Sequence, residues 1–484
     1  MKRNDYTPLN IIERMNSKIS LICSVAALIV LVLLFRLLDH QIIQKPVEDA
    51  QQAAEEEEAE ANYAPQVTTA SVIAVGDNLY HDALIAYGQS DDGTRNYEKV
   101  YEHVRPYIEA ADLAIVDQET MLTTDSDIWG GYPTFATPTE VGDALVAVGF
   151  DVVEHATNHI DDHGYDYISG TLDYWKTKHP EITVLGIHES QEDADSIKIR
   201  EVNGIKVGFL DYTYGTNNIN NVGPAYMIDT FMDGSEHIAS LVKKAKEEAD
   251  CVVFVAHWGK EDEHMPDEYQ KEWATFLMKA GVDVLIGGHP HVLQPYGVLD
   301  DEEGHHMVIF YSLGNFVSNQ QDLAELLGGM GCFTIEKTSY SDGTSSVQIK
   351  DIDVRPTVMH CDVYENVFAP YMLSDYTEEL ASNNTVSDYV GDIFTFSNLK
   401  KKFKEVMSIR VTPSDEETFL SYSINYNADF VDENGNVLPD NSITEMQYYG
   451  SMGIDVSSSM YTDEELDYTT DRTPGDGVAG EGDN

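Results

Sequence analysis

From residue 69 onward the chain alternates between two patterns: short blocks rich in Val, Ile and Leu, and longer segments whose apolar residues recur every three or four positions. The blocks at residues 71–75, 113–116, 151–154, 184–187, 206–210, 251–256, 282–286 and 307–311 predict β-strands. Between them, helices are predicted over residues 97–110, over 139–148 with Gly149 as the stop, and around the stripe Tyr167, Ile168, Leu172 and Trp175. Another helix ends at residues 243–249, and a further one places Tyr269, Trp273, Phe276, Leu277 and Ala280 on one face before Gly281. Strands that are apolar almost throughout need cover on both faces, so the pattern predicts an α/β fold in layers. After Thr357 the pattern weakens to a lysine-bearing surface helix over 399–407 and irregular or β structure over 417–438.

The N-terminal pattern is different. Residues 19–35 are apolar except for Ser20 and Ser24, and Leu37 and Leu38 extend the run if Arg36 reaches back to the head groups. Lys2, Arg3, Arg14 and Lys18 precede it, while Glu48, Asp49 and the Glu run 55–58 follow. This asymmetry predicts a single-pass anchor with a cytoplasmic N-terminus and the bulk of the chain outside the cell. Residues 37–40 offer no small-residue cleavage site, which argues against a removed signal peptide. The reading divides the chain into a cytoplasmic N-terminus (1–18), a transmembrane anchor (19–38), an acidic linker (39–68), a main domain (69–357) and a C-terminal extension (358–461). A Gly- and Thr-rich acidic tail (462–484), expected to be disordered, completes it.

Charge narrows the possible partners. Across 484 residues, 85 Asp and Glu face 29 Lys and Arg, a net charge of -56. Such a surface repels nucleic acid, so nucleic-acid binding is excluded. The four cysteines include no C-x-x-C pair, so a thiolate zinc site is not expected. Cys251 and Cys332 lie in strand-like apolar contexts and read as packed thiols.

The chemistry-bearing residues follow the predicted strands. Asp77 comes after the first, Asp117 and Glu119 after the second, and Asn158 and His159 after the third. His257 follows the apolar 252–256 block, and His289 and His291 follow 282–286, flanking Pro290. In open α/β sheets ligands bind beyond the carboxyl ends of the strands. Carboxylate, amide oxygen and imidazole in one crevice suit Zn, Mn or Fe better than Ca or Mg alone.

In order and spacing these segments resemble the CapA (PgsA) family of poly-gamma-glutamate capsule synthesis proteins, which have a calcineurin-like metallophosphoesterase fold. The resemblance runs from about Ser71 to Phe316 and rests on Val75-Gly76-Asp77, Ala111-Asp112-Leu113 with Glu119, Ala156-Thr157-Asn158-His159 with Asp162 and Gly164, His257-Trp258-Gly259 with Glu261, Gly288-His289-Pro290-His291-Val292 with Gln294, and residues 311–316 including Asn315. It implies a sheet sandwich flanked by helices and one or two divalent ions. Asp77 and His291 would hold one ion, and Asn158, His257 and His289 the other, with Glu119 in the bridging position. It further implies His159, with Asp162, as the catalytic acid or transition-state stabiliser, and Glu261 and Asn315 at the substrate. Three departures stand out. Leu79 occupies the place of a motif histidine, with His81 the nearest histidine. Asp117 adds a carboxylate where the family usually has Asn, and Thr157 stands in place of a first asparagine.

Two functions follow as expectations. One is a metal-dependent hydrolase or transferase acting on a phosphoester or a gamma-glutamyl amide outside the cell. The other is a non-catalytic subunit that binds or guides an anionic polymer such as poly-gamma-glutamate beside integral membrane synthase subunits.

Overall fold

The computed structural model describes residues 8–47, 49–53, 64–90, 92–217, 223–301, 304–390, 393–411 and 419–421. The expected acidic tail and most of the segment 417–438 lie outside the described residues. The chain divides into two units, residues 1–66 with 338–345, and residues 67–337 with 346–484. In the first unit helix α1 (Pro8–Asp39) runs on through a π-helical turn, His40–Gln44. Among the described residues one helix, Ile12–Ala53, is long and apolar enough to cross a membrane. Its large side chains, Leu31 and Phe35 among them, are exposed. A helix that is apolar yet uncovered by protein fits a lipid environment. Helical structure thus continues beyond residue 38, into the segment expected as a linker.

The second unit is built on two sheets. The chain first lays down β1 (Gln66–Asn78), β2 (Leu113–Asp117), β3 (Val152–Glu154) and β4 (Thr183–Leu185) as parallel neighbours in that order. It then crosses to a second sheet with β5 (Lys198–Val202), β6 (Ile205–Thr213), β7 (Cys251–His257), β8 (Val284–Gly288), β9 (Tyr296–Asp300) and β10 (His306–Phe310). It returns to the first sheet through β11 (Asn315–Val317), β12 (Leu327–Ser339), β13 (Ser345–Asp362) and β14 (Val367–Met372), and β15 (Phe419–Ser421) pairs with β9. The first sheet reads β14-β13-β12-β1-β2-β3-β4, with β11 also on β1, and the second β15-β9-β10-β8-β7-β6-β5.

Strand β7 shows why the layers form. All seven of its residues are buried. Cys251, Val253 and Val255 enter a core that also holds Val72 and Val75 of the first sheet. Val252, Phe254 and Ala256 point the other way, into a core completed by Ile238, Leu241, Leu277 and Met278. The period of two sends alternate side chains to opposite faces. Both faces are therefore covered, one by the other sheet and one by helices α4 (Ser235–Glu248) and α5 (Glu268–Ala280), which follow α2 (Thr139–Val148) and α3 (Tyr165–Lys178) in the chain. The layered α/β fold is the one the pattern predicts, and the sheet sandwich flanked by helices is the one the family resemblance implies.

Several boundaries follow the expected punctuation. Gly149 and Gly281 end α2 and α5 in the left-handed conformation, and Asp267 opens α5 through a capping box with Gln270. The helix expected over 97–110 is broken into a 3-10 turn, Glu98–Tyr101, and a short helix, Arg105–Ile108. Pro106 lacks the N–H that a continuous helix would use there. The boundary expected at residue 357 falls inside β13, which pairs antiparallel with β14. Helix α6 (Phe396–Met407) buries Leu399, Phe403, Val406 and Met407 in the main core. The layered body therefore continues well past that point, and 399–407 is amphipathic rather than a pure surface helix. Cys251, Cys332 and Cys361 are free and buried.

Beyond β4, His188 is buried between two carboxylates. Its Nε2 lies 2.7 Å from Asp229 Oδ2, and Nδ1 lies 3.7 Å from Asp193 Oδ2, an ion-pair distance beyond hydrogen-bond reach. Burial alone would lower its pKa, but the two acids outweigh it and push it up to about 9. A histidine raised in the folded state stabilises fully below the unfolded value and loses that contribution as pH rises through the folded one. The contribution should be about 3 kcal/mol, complete below about pH 6.5 and lost by about pH 9. Urea unfolding of the parent and His188→Gln across that window checks this: the gap between them should close as pH rises.

Candidate metal centre at the strand ends

Strand register assembles the site. Asp77, Asp117 and Glu154 stand side by side at the carboxyl ends of β1, β2 and β3. Thr213, His257 and Gly288 do the same for β6, β7 and β8 in the other sheet. Strand β11 sets Asn315 opposite Asp77. Glu119, Asn158, His289 and His291 lie in the loops just beyond. The two glycines before His289 are required by space. A Cβ at Gly288 would lie 2.6 Å from Asp117 Oδ2 and 2.8 Å from Asp77 Oδ1, and one at Gly287 would lie 1.9 Å from the Tyr311 carbonyl oxygen. His289 and His291 have φ of 94° and 58°, a conformation that costs side-chain-bearing residues about 1–3 kcal/mol each and clusters at functional sites.

Two groups of ligand atoms result. Asp77, Glu119 and His291 form one, and Asp77, Asp117 and His257 the other, with the atoms of each within 4.8 Å of one another. His291 Nδ1 is 3.0 Å from Asp77 Oδ2 and 3.2 Å from Asn315 Oδ1, and the His289 N–H donates to Asp77 Oδ1 at 3.1 Å. His257 Nδ1 is 3.0 Å from Asp117 Oδ2, and its Nε2 is 2.8 Å from Asn158 Oδ1. Glu119 Oε1 lies 3.8 Å from His257 Nε2 and 3.9 Å from His291 Nε2, between the two imidazoles. The His289 ring centroid lies 4.9 Å from that of His257 and 6.0 Å from that of His291.

The electrostatics follow from burial. Burial pushes Glu119 up to about 7, and burial with neighbouring Asp77 pushes Asp117 well above the carboxylate range. For Asp77, burial is outweighed by the hydrogen bond and charge of His291, so its carboxyl is held low. Burial opposes charge on His291 too, but Glu119 and Asp77 carry it up to about 10. His257 and His289 are pushed down by burial. Protons on Asp117 and His291 can satisfy part of this network. They leave Glu119 unsatisfied: neither of its oxygens has a hydrogen-bond partner, and the residue is 0% exposed. Asp117 Oδ1 and His289 Nδ1 are likewise without partners. Orphaned buried acceptors among imidazoles fit a divalent cation.

Beside this centre, Asp162 Oδ2 lies 2.7 Å from His159 Nδ1 and accepts the Phe135 N–H at 2.7 Å. Asp162 therefore orients His159, whose ring packs edge-on to Phe135 at 4.6 Å. Asn315, expected at the substrate, is 1% exposed; its amide donates to Gln320 Oε1 and the Glu325 carbonyl while its oxygen faces His291. Its contacts position His291 instead. Glu261 is exposed. Leu79 is buried, and His81 does not take the vacated role: its ring accepts the Asn319 N–H and packs on Phe135, with burial lowering it to about 4. Sequence reasoning left Asp117 out of the ligand set. Its signal was the two-residue spacing from Glu119 and its place beside Asp77, visible only once the register is known. Tyr214, whose ring lies 4.6 Å from that of His289, left no signal.

Residues 71–320, just over half of the chain, match the family model described as Bacterial capsule synthesis protein PGA_cap. The chain belongs to the PGA_cap family. All the residues of the centre fall within the PGA_cap segment. Among curated proteins, the chain is 26% identical over 302 residues to "PGA biosynthesis protein CapA" of Bacillus subtilis (strain 168), covering 60% of this chain and 74% of that one. It is 30% identical over 249 residues to "Capsule biosynthesis protein CapA" of Bacillus anthracis, covering 46% of this chain and 54% of that one, about half the relative's length. Solved structures with a partial likeness include Haemophilus influenzae NAD nucleotidase (TM-score 0.35, 11% identity, 70% of this chain and 60% of that one). A putative 5'-nucleotidase from Staphylococcus aureus also aligns (TM-score 0.32, 16% identity, 59% and 54%).

The glycines of this PGA_cap chain give a test with opposite signs. Gly288→Ala forces a Cβ onto two carboxylates and should destabilise by about 2–3 kcal/mol. Gly170→Ala, in the exposed middle of α3 with nothing within 4 Å of its added Cβ, should stabilise by about 0.5–1 kcal/mol. Chemical unfolding of both variants beside the parent measures this.

Proposed function

We propose that this chain is a membrane-anchored, extracytoplasmic component of capsule polymer synthesis or export whose strand-end centre binds one or two divalent cations and hydrolyses or transfers a phosphoester or gamma-glutamyl amide. The observation that carries the reading is Glu119, a buried carboxylate with no donor for either oxygen, set between His257 and His291. Asp77 and His291 would hold one Mn, Fe or Zn ion, Asn158, His257 and His289 a second, and Glu119 would stand between them. Bound there, such ions supply positive charge that polarises a phosphoryl or carbonyl oxygen.

The chain's own residues do the rest. Asp117 faces Nδ1 of His257, which directs Nε2 toward Asn158 and Glu119. Asp162 accepts the Nδ1 proton of His159, leaving Nε2 to pass a proton at the reacting group. Phe135 packs over that imidazole and limits water around it. Asp117 places a second carboxyl group beside Asp77, and Leu79 offers no imidazole, so the first ion would have one ligand fewer. The name of the Bacillus subtilis relative, a PGA biosynthesis protein, supports poly-gamma-glutamate as the polymer. A net charge of -56 requires cations to bridge such a polymer to the protein surface. The apolar helix supports docking beside integral synthase subunits, with the basic flank in the cytoplasm.

Elemental analysis of the detergent-solubilised full chain tests the centre. About one to two equivalents of Mn, Fe or Zn are expected. A His289→Ala, His291→Ala double variant that keeps its circular dichroism should lose them. A parent that takes up no metal after loading with each ion rejects the centre.

Leu79 favours a second reading, in which the fold binds and guides the polymer without catalysis. Asn158→Ala with His289→Ala separates the two. Catalysis predicts loss of polymer at normal protein level, whereas a guiding subunit predicts retained export.

A further inference from the structure

A groove of about 390 Å³ opens where the chain leaves β7, within the range of small-ligand pockets. Tyr214, Phe231, Tyr269 and Trp273 wall it, and Met232 and Asp267 also line it. Phe231 is buried and anchors the wall: its ring lies 4.6 Å from Trp273 at 45° and 5.9 Å from Tyr269 at 86°. Tyr269 and Trp273 meet at 6.4 Å and 65°. Tyr214 joins the groove to the centre, with its ring 4.6 Å from that of His289.

Charge and ring geometry select the occupant. Among the described residues that line the groove there is no Lys or Arg, and one residue, Asp267, is acidic. A chain bearing a carboxylate on every unit is repelled there. A flat aromatic base sandwiched between two rings needs their faces near parallel, and these three walls meet at 45° to 86°. A saturated ring presents C–H groups on its faces and hydroxyls around its edge. That shape matches inclined aromatic walls with phenol and carboxylate groups alongside.

We propose that this groove binds a neutral pyranose ring. The binding does not depend on the reading of the centre given above.

Titration calorimetry on the detergent-solubilised full chain tests it, with neutral tetrasaccharides of glucose, galactose and N-acetylglucosamine, a gamma-linked glutamate tetramer and adenosine as probes. At least one saccharide should bind and quench tryptophan fluorescence. Tyr269→Ala should weaken it about ten-fold. Met232→Trp, which fills the mouth of the groove from a side chain that is 77% exposed, should weaken it as much without touching the core. Three results overturn the proposal: binding of none of the saccharides, equal binding by parent and both groove variants, or binding of the glutamate tetramer or adenosine in their place. Saccharide binding without metal would overturn the centre and leave the groove. Metal without saccharide binding would do the reverse.

Discussion

Glu119 has no exposure to water and no donor for either oxygen, yet it sits between two histidines that the fold has brought from the far half of the chain. A carboxylate in that position must be neutralised by a proton or by a cation, because burying an uncompensated charge costs several kcal/mol. The protein resolves the neighbouring acids differently. Asp77 keeps its charge against His291, while burial pushes Glu154 and Asp211 toward their neutral forms behind the centre. The Asp211 carboxylate is further tied down by the N–H groups of His155 and Ala156. Trp175 donates to Nε2 of His155, which fixes that ring as a neutral support. What remains is a ring of acceptors with Glu119 at its middle, and the surrounding loops are shaped to keep it so.

The scaffold tolerates this because the load is spread over rigid elements. Each ligand sits at, or within a few residues of, the end of a strand buried on both faces, where the backbone has little freedom. The left-handed conformations at His289 and His291 and the contact that forbids a side chain at Gly288 are local costs. They hold only because two covered sheets fix the ends of β7 and β8.

Much of this was legible along the chain. The continuous apolar blocks at 251–256 and 282–286 announced strands covered on both faces, and the polar residues placed after them announced the site. What could not be read was pairing. Asp117 and Asp77 are 40 residues apart and become neighbours only through the β1–β2 register. Asn315 is expected at the substrate, whereas its amide is engaged inside the protein with His291, Gln320 and Glu325. The helix over 97–110 was overridden by one proline. The first half of β13 is polar enough to hide that its second half re-enters the core, which is why the body seemed to end too soon.

The hydrogen bonds of the centre span the chain: Asp77 meets His291 across 214 residues, and Asp117 meets His257 across 140. A chain that ends before His257 contains neither contact. A ribosome or a translocation channel releases the N-terminal ligands long before their partners emerge, and such non-local contacts close late in folding. Any ion that fills the centre therefore has to enter after both halves of the site have been made.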